Sequence, residues 1–174
     1  MIKNNKVYII GFMGCGKSTA GKKLASLLGW SFVDLDRKIE KHTGKTIPEL
    51  FSEYGEDYFR KVETEVLKSH KSQANVVIST GGGSPCYDDN MDFMLETGVT
   101  VYLKLTPDQL KTRLAKSKTD RPLIMGLSKD GLLSFIEEKL TNREKWYNQA
   151  QIIIEGIDLN ISVLYSTVRT SLNI

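Results

Sequence analysis

A glycine-rich run near the start of the chain has the composition of a phosphate-binding loop. Residues 7–19 read V-Y-I-I-G-F-M-G-C-G-K-S-T and contain the pattern G-x-x-x-x-G-K-S, which runs from Gly11 to Ser18 with Gly14 as an extra glycine. Glycines let the backbone N–H groups approach a phosphate closely, while Lys17 supplies a positive charge and Ser18 a hydroxyl for a hard cation. The flanking residues fit a strand before the loop and a helix after it, so we predict that the loop binds a nucleotide phosphate chain.

Two carboxylates follow the second predicted strand in the sequence D-L-D. Asp34 and Asp36 are two residues apart, and in an extended segment both would point to the same side. One is suited to Mg²⁺, directly or through water, and the other to a substrate hydroxyl. The alternative is that Asp36 caps a helix beginning at Arg37.

Three consecutive glycines, Gly81, Gly82 and Gly83, follow the third predicted strand. One turn needs only one glycine, so the triplet indicates that some group approaches this backbone closely. That group is a substrate, a phosphate or, in the alternative, a tightly packed neighbouring loop.

Arginine is scarce in this chain, with six residues against 18 lysines. Arg60 lies among the aromatic residues Phe51 and Phe59, and Glu63 follows it at a spacing that brings the two side chains together on one helix. This arrangement suits the bidentate binding of a carboxylate or phosphate, although a surface arginine with an ordinary ion pair is the alternative.

The segment 117–130 is a polar stretch with Pro and Gly between two predicted helices. A loop of this length in a small protein is typical of a lid, with a disordered surface loop as the alternative. Arg121 lies in it, and a mobile arginine there would neutralise charge on a transferring phosphate.

These residues need elements that bring them together, and the chain predicts alternating strands and helices. Further strands are expected at 31–35, 75–80, 99–105 and 151–155, and helices at 17–28, 37–42, 48–70 (broken near Gly55), 88–97, 107–115, 129–148 and 161–172. Such alternation predicts an α/β fold with a parallel sheet covered on both faces. Ligands bind beyond the carboxyl ends of such strands, where the motifs above are found.

Composition limits the class of protein. The chain has 174 residues, 40% of them hydrophobic, which predicts a single domain spanning 1–174. A net charge of +3 without a long basic run argues against nucleic acid and membrane partners and favours a small molecule. Two cysteines, no signal-peptide pattern and no long apolar run predict a cytoplasmic protein, and a monomer is the default expectation. If the first and third strands are neighbours, Cys15 and Cys86 are expected to approach each other.

Taken together, the motifs resemble those of the shikimate kinase family. The phosphate loop, D-L-D, G-E-x-x-F-R-x-x-E, T-G-G-G, R-P-L and R-x-x-x-Y occur in that order and cover nearly the whole chain. The resemblance implies a P-loop kinase fold of three α/β/α layers with a five-stranded parallel sheet in the order 2-3-1-4-5. It also implies a shikimate-binding segment at about 34–63, a lid at about 117–130, and transfer of the γ-phosphate of ATP to the 3-hydroxyl of shikimate.

The resemblance further implies a role for each matching residue. Lys17 and Arg121 would hold the transferring phosphate, and Asp36 would bind the reacting hydroxyl and act as a base. Arg60 and Arg143 would bind the shikimate carboxylate, with Glu63 supporting Arg60. The remaining implied residues are those that bind ATP (Gly11, Gly14, Cys15, Gly16, Ser18, Thr19 and Arg113), those that hold Mg²⁺ (Ser18 and Asp34) and those that line the shikimate pocket (Phe51, Phe59, Gly81, Gly82 and Gly83).

Two other functions are compatible with parts of this pattern. Another small-molecule kinase of the same fold, such as a gluconate kinase, also phosphorylates a polyhydroxy acid. A nucleotide-binding module without catalytic activity would keep the fold, but Lys17, Asp36 and Arg121 argue against it. A GTPase is not favoured because the chain lacks N-K-x-D.

Overall fold

The structure is a computed structural model that describes residues 5–117 and 122–174. Its elements alternate along the chain as predicted. The strands are β1 (Lys6–Ile10), β2 (Ser31–Asp34), β3 (Val76–Ser79), β4 (Val99–Lys104) and β5 (Ile152–Glu155). The helices are α1 (Lys17–Leu28), α2 (Leu35–Thr43), α3 (Ile47–Ser69), α4 (Asn90–Thr97), α5 (Pro107–Lys116), α6 (Lys129–Tyr147) and α7 (Ile161–Leu172), with 3₁₀ helices at Ser84–Cys86 and Pro122–Ile124.

The strands form one five-stranded sheet in the order β2-β3-β1-β4-β5, and all pairs are parallel. In the register of the central strand, Val7 pairs with Val77 on one side and with Val99 on the other. This confirms both the predicted parallel sheet and the strand order that the resemblance implied. Because β1 and β3 are neighbours, the phosphate loop and the glycine triplet follow adjacent strand ends.

The core lies on both faces of this sheet. All five residues of β1 are buried, as are the four residues of β3, because helices pack on each face. The fully buried tyrosines Tyr8 and Tyr102 lie on neighbouring strands, and the Tyr8 hydroxyl is 2.8 Å from that of Thr97. Burial on both faces holds the strand ends rigidly, which gives the loops that follow them defined positions.

The predicted boundary between β2 and α2 was wrong. The strand ends at Asp34 and the helix begins at Leu35, two residues before the predicted start at Arg37. Asp34, not Asp36, caps this helix by accepting a hydrogen bond from the Arg37 backbone N–H, with 3.4 Å between the nitrogen and Oδ1. The two carboxylates therefore do not lie on one side of an extended segment as predicted, because Asp36 lies in the first turn of α2. Other predicted ends differ by one or two residues.

The predicted break in the long helix is confirmed at Gly55. This glycine has φ 81° and ψ 174°, and the chain resumes helical geometry after it. A capping box begins α3, in which the Thr46 hydroxyl accepts from the Glu49 N–H and Glu49 Oε2 accepts from the Thr46 N–H. The break lets the two halves of α3 take different directions around the site.

Across residues 5–117 and 122–174, the structure contains no helix of the length and apolar character needed to cross a membrane.

Candidate active site

The phosphate loop joins β1 to α1 and has the backbone that its glycines predict. Gly11, Gly14 and Gly16 have φ values of 141°, 80° and 99°, a region that favours glycine. Lys17 is 9% exposed, and its Nζ donates to the carbonyl oxygens of Gly11 at 2.9 Å and Phe12 at 3.0 Å. The ammonium group is thus held over the loop, beside the site where a phosphate would bind.

A cavity of about 480 Å³ extends from the phosphate loop toward the end of β5. The exposed Arg113 forms part of its wall, and its Nε donates to the Gly14 carbonyl at 2.8 Å. Cys15 and Thr19 also line the cavity. Its far wall, residues 156–160, was not predicted from the sequence. The position of this segment after the carboxyl end of β5 was the signal that could have identified it.

A set of oxygen atoms lies where α1, β2 and β3 meet. The Ser18 hydroxyl donates to Asp34 Oδ2 at 2.8 Å and lies 3.3 Å from the hydroxyl of Ser79. Ser79 is the last residue of β3, and sequence reasoning missed it. These donors are hydroxyl and carboxylate oxygens, the ligands that Mg²⁺ prefers.

Asp36 lies between two cavities. It lines both a cavity of about 560 Å³ along the phosphate loop and a smaller one of about 260 Å³ between α3 and the glycine triplet. The side chain keeps contact with solvent through the cleft, but the surrounding protein removes much of its hydration, and this raises its pKa to about 6. The negative charges of Glu63 and Asp34 raise the pKa further, while Lys17 opposes the shift.

Arg60 is a buried ion-pair partner, so the alternative of a surface arginine was wrong. It is 7% exposed, and its Nη1 donates to Oε2 of the fully buried Glu63 at 2.8 Å, as the spacing predicts. The other oxygen of Glu63 accepts a short hydrogen bond from Ser84. Burial disfavours the charged form of Arg60, but Glu63 and Glu56 outweigh this effect and raise its pKa.

The glycine triplet makes room for these charged groups. None of the three glycines has a positive φ, so close approach is what excludes side chains here. A Cβ on Gly83 would lie 2.6 Å from both Nη1 and Nη2 of Arg60, and one on Gly81 would lie 2.5 Å from Glu63 Oε1. At Gly82 the nearest atom would be the backbone nitrogen of Met13, at 3.1 Å.

Arg143 projects from α6 toward the triplet. It is 7% exposed, and its Cζ lies 5.5 Å from the centre of the Phe12 ring. Its Nη1 is buried and has no hydrogen-bond partner among residues 5–117 and 122–174. One turn later on α6, the Tyr147 hydroxyl donates a short hydrogen bond to the Gly82 carbonyl. The helix is therefore anchored to the triplet at the point where Arg143 reaches the smaller cavity.

The smaller cavity has one charged side and one apolar side. Arg60, Arg143 and Asp36 are among its charged lining residues, and its apolar lining residues include Phe51 and Phe59, whose ring centres are 4.7 Å apart. Sequence reasoning missed the other lining residues, which are Met13, Glu40, Ile47, Pro48 and Leu123. The shape and lining suit a small ring that carries a carboxylate and hydroxyl groups.

The predicted role of Arg121 and the predicted approach of Cys15 to Cys86 stay predictions. Arg121, predicted to contact the transferring phosphate, lies outside the described residues. Cys15 and Cys86 are both free thiols. Burial raises the pKa of Cys86 to about 11, so its thiolate is scarce at neutral pH.

Comparison with known proteins gives one consistent family. The family model described as shikimate kinase matches residues 13–170. The chain is 44% identical over 151 residues to the shikimate kinase of Parabacteroides distasonis, covering 87% of each protein. It superimposes on the crystal structure of shikimate kinase from Bacteroides thetaiotaomicron with a TM-score of 0.89 and 42% identity, covering 97% of this chain and 98% of the other. For the shikimate kinase of Acinetobacter baumannii in complex with shikimate, the TM-score is 0.85 and the identity 33%, over 99% and 95% of the two chains.

The gluconate kinase alternative is not favoured by these comparisons. A gluconokinase from Sinorhizobium meliloti has a TM-score of 0.60 but only 15% identity, over 99% of this chain and 94% of the other. That likeness shows a common fold and nothing more. A nucleotide-binding module without activity is likewise not favoured, because the relatives with high identity are named as kinases.

Proposed function

We propose, from the premise that this chain belongs to the shikimate kinase family, that its smaller cavity binds shikimate and its phosphate-loop cleft binds ATP. The enzyme transfers a phosphoryl group from ATP to shikimate, and the 3-hydroxyl is the proposed acceptor. Asp36 lines both cavities and so lies where the acceptor hydroxyl would meet the γ-phosphate.

The observation that carries the assignment of the acceptor cavity is the unpaired Nη1 of Arg143. A buried guanidinium nitrogen without an acceptor is costly, because it has lost its hydration and gained no hydrogen bond. The carboxylate of shikimate would supply that acceptor, and Arg60 lines the same cavity. We infer that both arginines bind the carboxylate, while Phe51, Phe59 and the backbone of the glycine triplet enclose the ring.

Asp36 is the proposed partner of the reacting hydroxyl. With a pKa of about 6, its carboxylate is mostly ionised at neutral pH and is basic enough to accept a proton from a hydroxyl under attack on phosphorus. In phosphoryl transfer the protein contributes mainly positioning and charge stabilisation. Asp36 would orient the acceptor oxygen and take up its proton as the bond to phosphorus forms.

Lys17 and the phosphate loop are proposed to bind the transferring phosphate. Lys17 Nζ, which here donates to the Gly11 and Phe12 carbonyls, would turn to the phosphate oxygens when nucleotide binds. Gly14, Gly16 and Thr19 would donate backbone N–H groups from the loop and the start of α1. Cys15 and Arg113 line the cavity that extends toward β5, together with residues 156–160, and we propose that this cavity binds the adenine. Arg121 is proposed to close over the phosphate from the lid at 117–130.

The oxygen atoms around Ser18 fit a magnesium ion that arrives with the nucleotide. We propose that Ser18 binds it through the hydroxyl and Asp34 directly or through water, with Ser79 nearby. The ion would neutralise charge on the phosphates when bound. Within residues 5–117 and 122–174, no group of three or more His, Cys, Asp and Glu residues is placed to hold a metal ion. In the proposed site, phosphate oxygens of the nucleotide would supply further ligands.

We also propose that the enzyme acts as a monomer in the cytoplasm. The two free thiols support a reducing compartment. Sedimentation equilibrium at assay concentrations tests the monomeric state, and a mass that rises with concentration would contradict it.

An acceptor panel tests the proposed substrate. ADP release is measured with ATP and, in turn, shikimate, quinate, gluconate and nucleoside monophosphates as acceptors. We expect kcat/KM for shikimate to exceed that for gluconate and for the nucleoside monophosphates by at least about 100-fold, because neither combines a small ring with a carboxylate. Quinate has both groups, so we expect it to be the strongest competitor, with a lower kcat/KM than shikimate. Equal turnover of gluconate or of a nucleoside monophosphate would contradict the assignment.

A further inference from the structure

Arg60 contacts two residues that line neither cavity, Tyr87 and Glu56. The Tyr87 ring centre lies 4.3 Å from the guanidinium carbon of Arg60. The Tyr87 hydroxyl donates to Glu56 Oε1 at 3.0 Å, and the same oxygen accepts from Arg60 Nε at 3.2 Å and Nη2 at 2.9 Å. The three side chains form a closed triangle in which each contacts the other two.

The hydrogen bonds of Arg60 to Glu56 and Glu63 use only some of its donors. A guanidinium has five N–H groups. Glu56 accepts from one on Nε and one on Nη2, and Glu63 accepts from one on Nη1. Each terminal nitrogen carries a second N–H that the hydrogen bonds to these glutamates do not use, and a carboxylate in the cavity could accept from it.

The triangle also connects α3, which lines the acceptor cavity, with the short 3₁₀ helix that follows the glycine triplet. Glu56 and Arg60 lie one turn apart on α3, immediately after the break at Gly55, whereas Tyr87 follows the 3₁₀ helix Ser84–Cys86. The start of this 3₁₀ helix holds the other carboxylate partner of Arg60, since Ser84 donates to Glu63. Contacts from residues 84–87 thus support the guanidinium through both of its glutamate partners.

We propose that Tyr87 and Glu56 are positioning residues for phosphoryl transfer, which hold the Arg60 guanidinium so that its remaining N–H groups meet the carboxylate of the acceptor. The proposal rests on the proposed role of Arg60 in shikimate binding. It predicts an effect on acceptor binding that passes through the carboxylate and leaves the chemical step unchanged.

A competing interpretation makes the opposite prediction for one variant. Glu56 is itself a carboxylate on Arg60 and could compete with the acceptor for the guanidinium. Removal of its charge would then lower the KM for shikimate. If Glu56 positions Arg60, Glu56→Gln raises that KM, because the side edge of the guanidinium loses its charged acceptor.

The test compares how variants bind shikimate and its methyl ester, in which the negative charge of the carboxylate is removed. The variants are Tyr87→Leu, which removes the ring contact and the hydroxyl, Tyr87→Phe, which keeps the ring, and Glu56→Gln. Tyr58→Phe is the matched control, because Tyr58 is an exposed tyrosine of α3 whose ring stacks on Tyr54. KM and kcat are measured with shikimate, and the inhibition constant is measured for its uncharged methyl ester.

We expect Tyr87→Leu to raise the KM for shikimate about three- to tenfold, with smaller rises for Tyr87→Phe and Glu56→Gln, and kcat within about twofold of the parent. The inhibition constant of the ester should stay within about twofold in every variant, since it has no carboxylate to meet the guanidinium. Tyr58→Phe should leave all values unchanged.

Three results would overturn the proposal. The first is an unchanged KM in Tyr87→Leu, and the second is an equal loss of affinity for shikimate and its ester, which would indicate general damage to the cavity. The third is a lower KM in Glu56→Gln. Arg60→Lys tests the assignment on which the proposal rests, that Arg60 binds the shikimate carboxylate. If this variant does not raise the KM for shikimate, that assignment and the proposal are both wrong. If it does raise the KM, any of these three results contradicts only the roles of Tyr87 and Glu56.

Discussion

At the residue scale, the site depends on Asp36, a carboxylate whose ionised form is disfavoured by reduced hydration and by nearby negative charges. Asp36 faces Glu63 and Asp34 in a cleft where hydration is reduced, and Lys17 is the opposing positive charge. A carboxylate in this environment is more basic than an exposed one. We infer that the same environment that makes Asp36 effective in catalysis makes it unfavourable for folding.

Replacement of the carboxylate by an amide tests its role in the reaction. Asp36→Asn should reduce kcat by at least about 100-fold, because the amide cannot take the proton of the acceptor hydroxyl. Nucleotide affinity, measured by calorimetry with ADP, should change little. The control is Asp92→Asn on α4, an exposed aspartate that lines neither cavity. Turnover of Asp36→Asn near the parent value would contradict the role of base or orienting group.

The pKa of Asp36 predicts how activity varies with pH. Since the ionised form is required, kcat/KM for shikimate should be constant above about pH 7 and fall tenfold per pH unit below about pH 6. The measurement is a pH profile in buffers of constant ionic strength, with excess coupling enzymes at every pH. A profile that stays flat down to pH 4.5 would be inconsistent with this assignment.

The raised pKa of Asp36 also predicts how the stability of the fold depends on pH, and this dependence runs opposite to that of activity. A pKa that folding raises means that the folded protein binds the proton more tightly, so this group stabilises the fold at low pH and loses that contribution as pH rises through about 6. Asp36→Asn should therefore raise Tm by about 1–3 °C at pH 8, with the small size reflecting solvent screening in the open cleft. The gain should vanish below about pH 4. A lower Tm at pH 8 would show that Asp36 stabilises the fold.

At the element scale, the geometry of the acceptor cavity depends on glycine at two places, the triplet after β3 and Gly55 within α3. The glycine triplet lets Arg60 and Glu63 lie against the end of β3, and Gly55 lets the second half of α3 change direction before it presents Arg60. The two requirements differ, because Gly83 is needed for space and Gly55 for its backbone angles.

A methyl group at position 83 should disturb acceptor binding specifically. In Gly83→Ala the new Cβ would lie 2.6 Å from both terminal nitrogens of Arg60, so the guanidinium must move. We expect the KM for shikimate to rise by about tenfold or more, since misplaced bidentate contacts are lost. The KM for ATP is the internal control and should stay within about twofold. A variant with parental KM for shikimate would show that the guanidinium position is not critical.

A methyl group at position 55 should act through the backbone instead. The angles of Gly55 lie in a region essentially limited to glycine, so Gly55→Ala should lower the free energy of unfolding by about 1–3 kcal/mol. Urea denaturation measures this. Lys61→Ala on α3 is the control: Lys61 is an exposed residue in the second half of the same helix, so alanine there should change the free energy of unfolding by no more than about 0.5 kcal/mol. Equal stability of the two variants would contradict a strained break at Gly55.

At the scale of the whole molecule, local patterns predicted the alternation of elements and most of the site, because the phosphate loop, Arg60 with Glu63 and the glycine triplet each have a signal within a few residues. The start of α2 was missed because D-L-D reads as a strand end, whereas Asp34 caps the helix and draws Asp36 into its first turn. The contact of Tyr87 with Arg60 has no local signal, since it joins distant parts of the chain. The cavity wall at 156–160 also has no local signal in the sequence, because only the sheet order brings the end of β5 beside the phosphate loop.

The central claim is that Arg60 and Arg143 bind the carboxylate of shikimate in the cavity beside the glycine triplet. A crystal structure of the enzyme with ADP and shikimate tests it most directly. We expect one carboxylate oxygen about 2.7–3.2 Å from Arg143 Nη1, the other within the same distance of Arg60, and a ring hydroxyl in hydrogen-bond contact with Asp36. A shikimate molecule whose carboxylate contacts neither arginine, with Arg143 Nη1 still unpaired, would contradict the account.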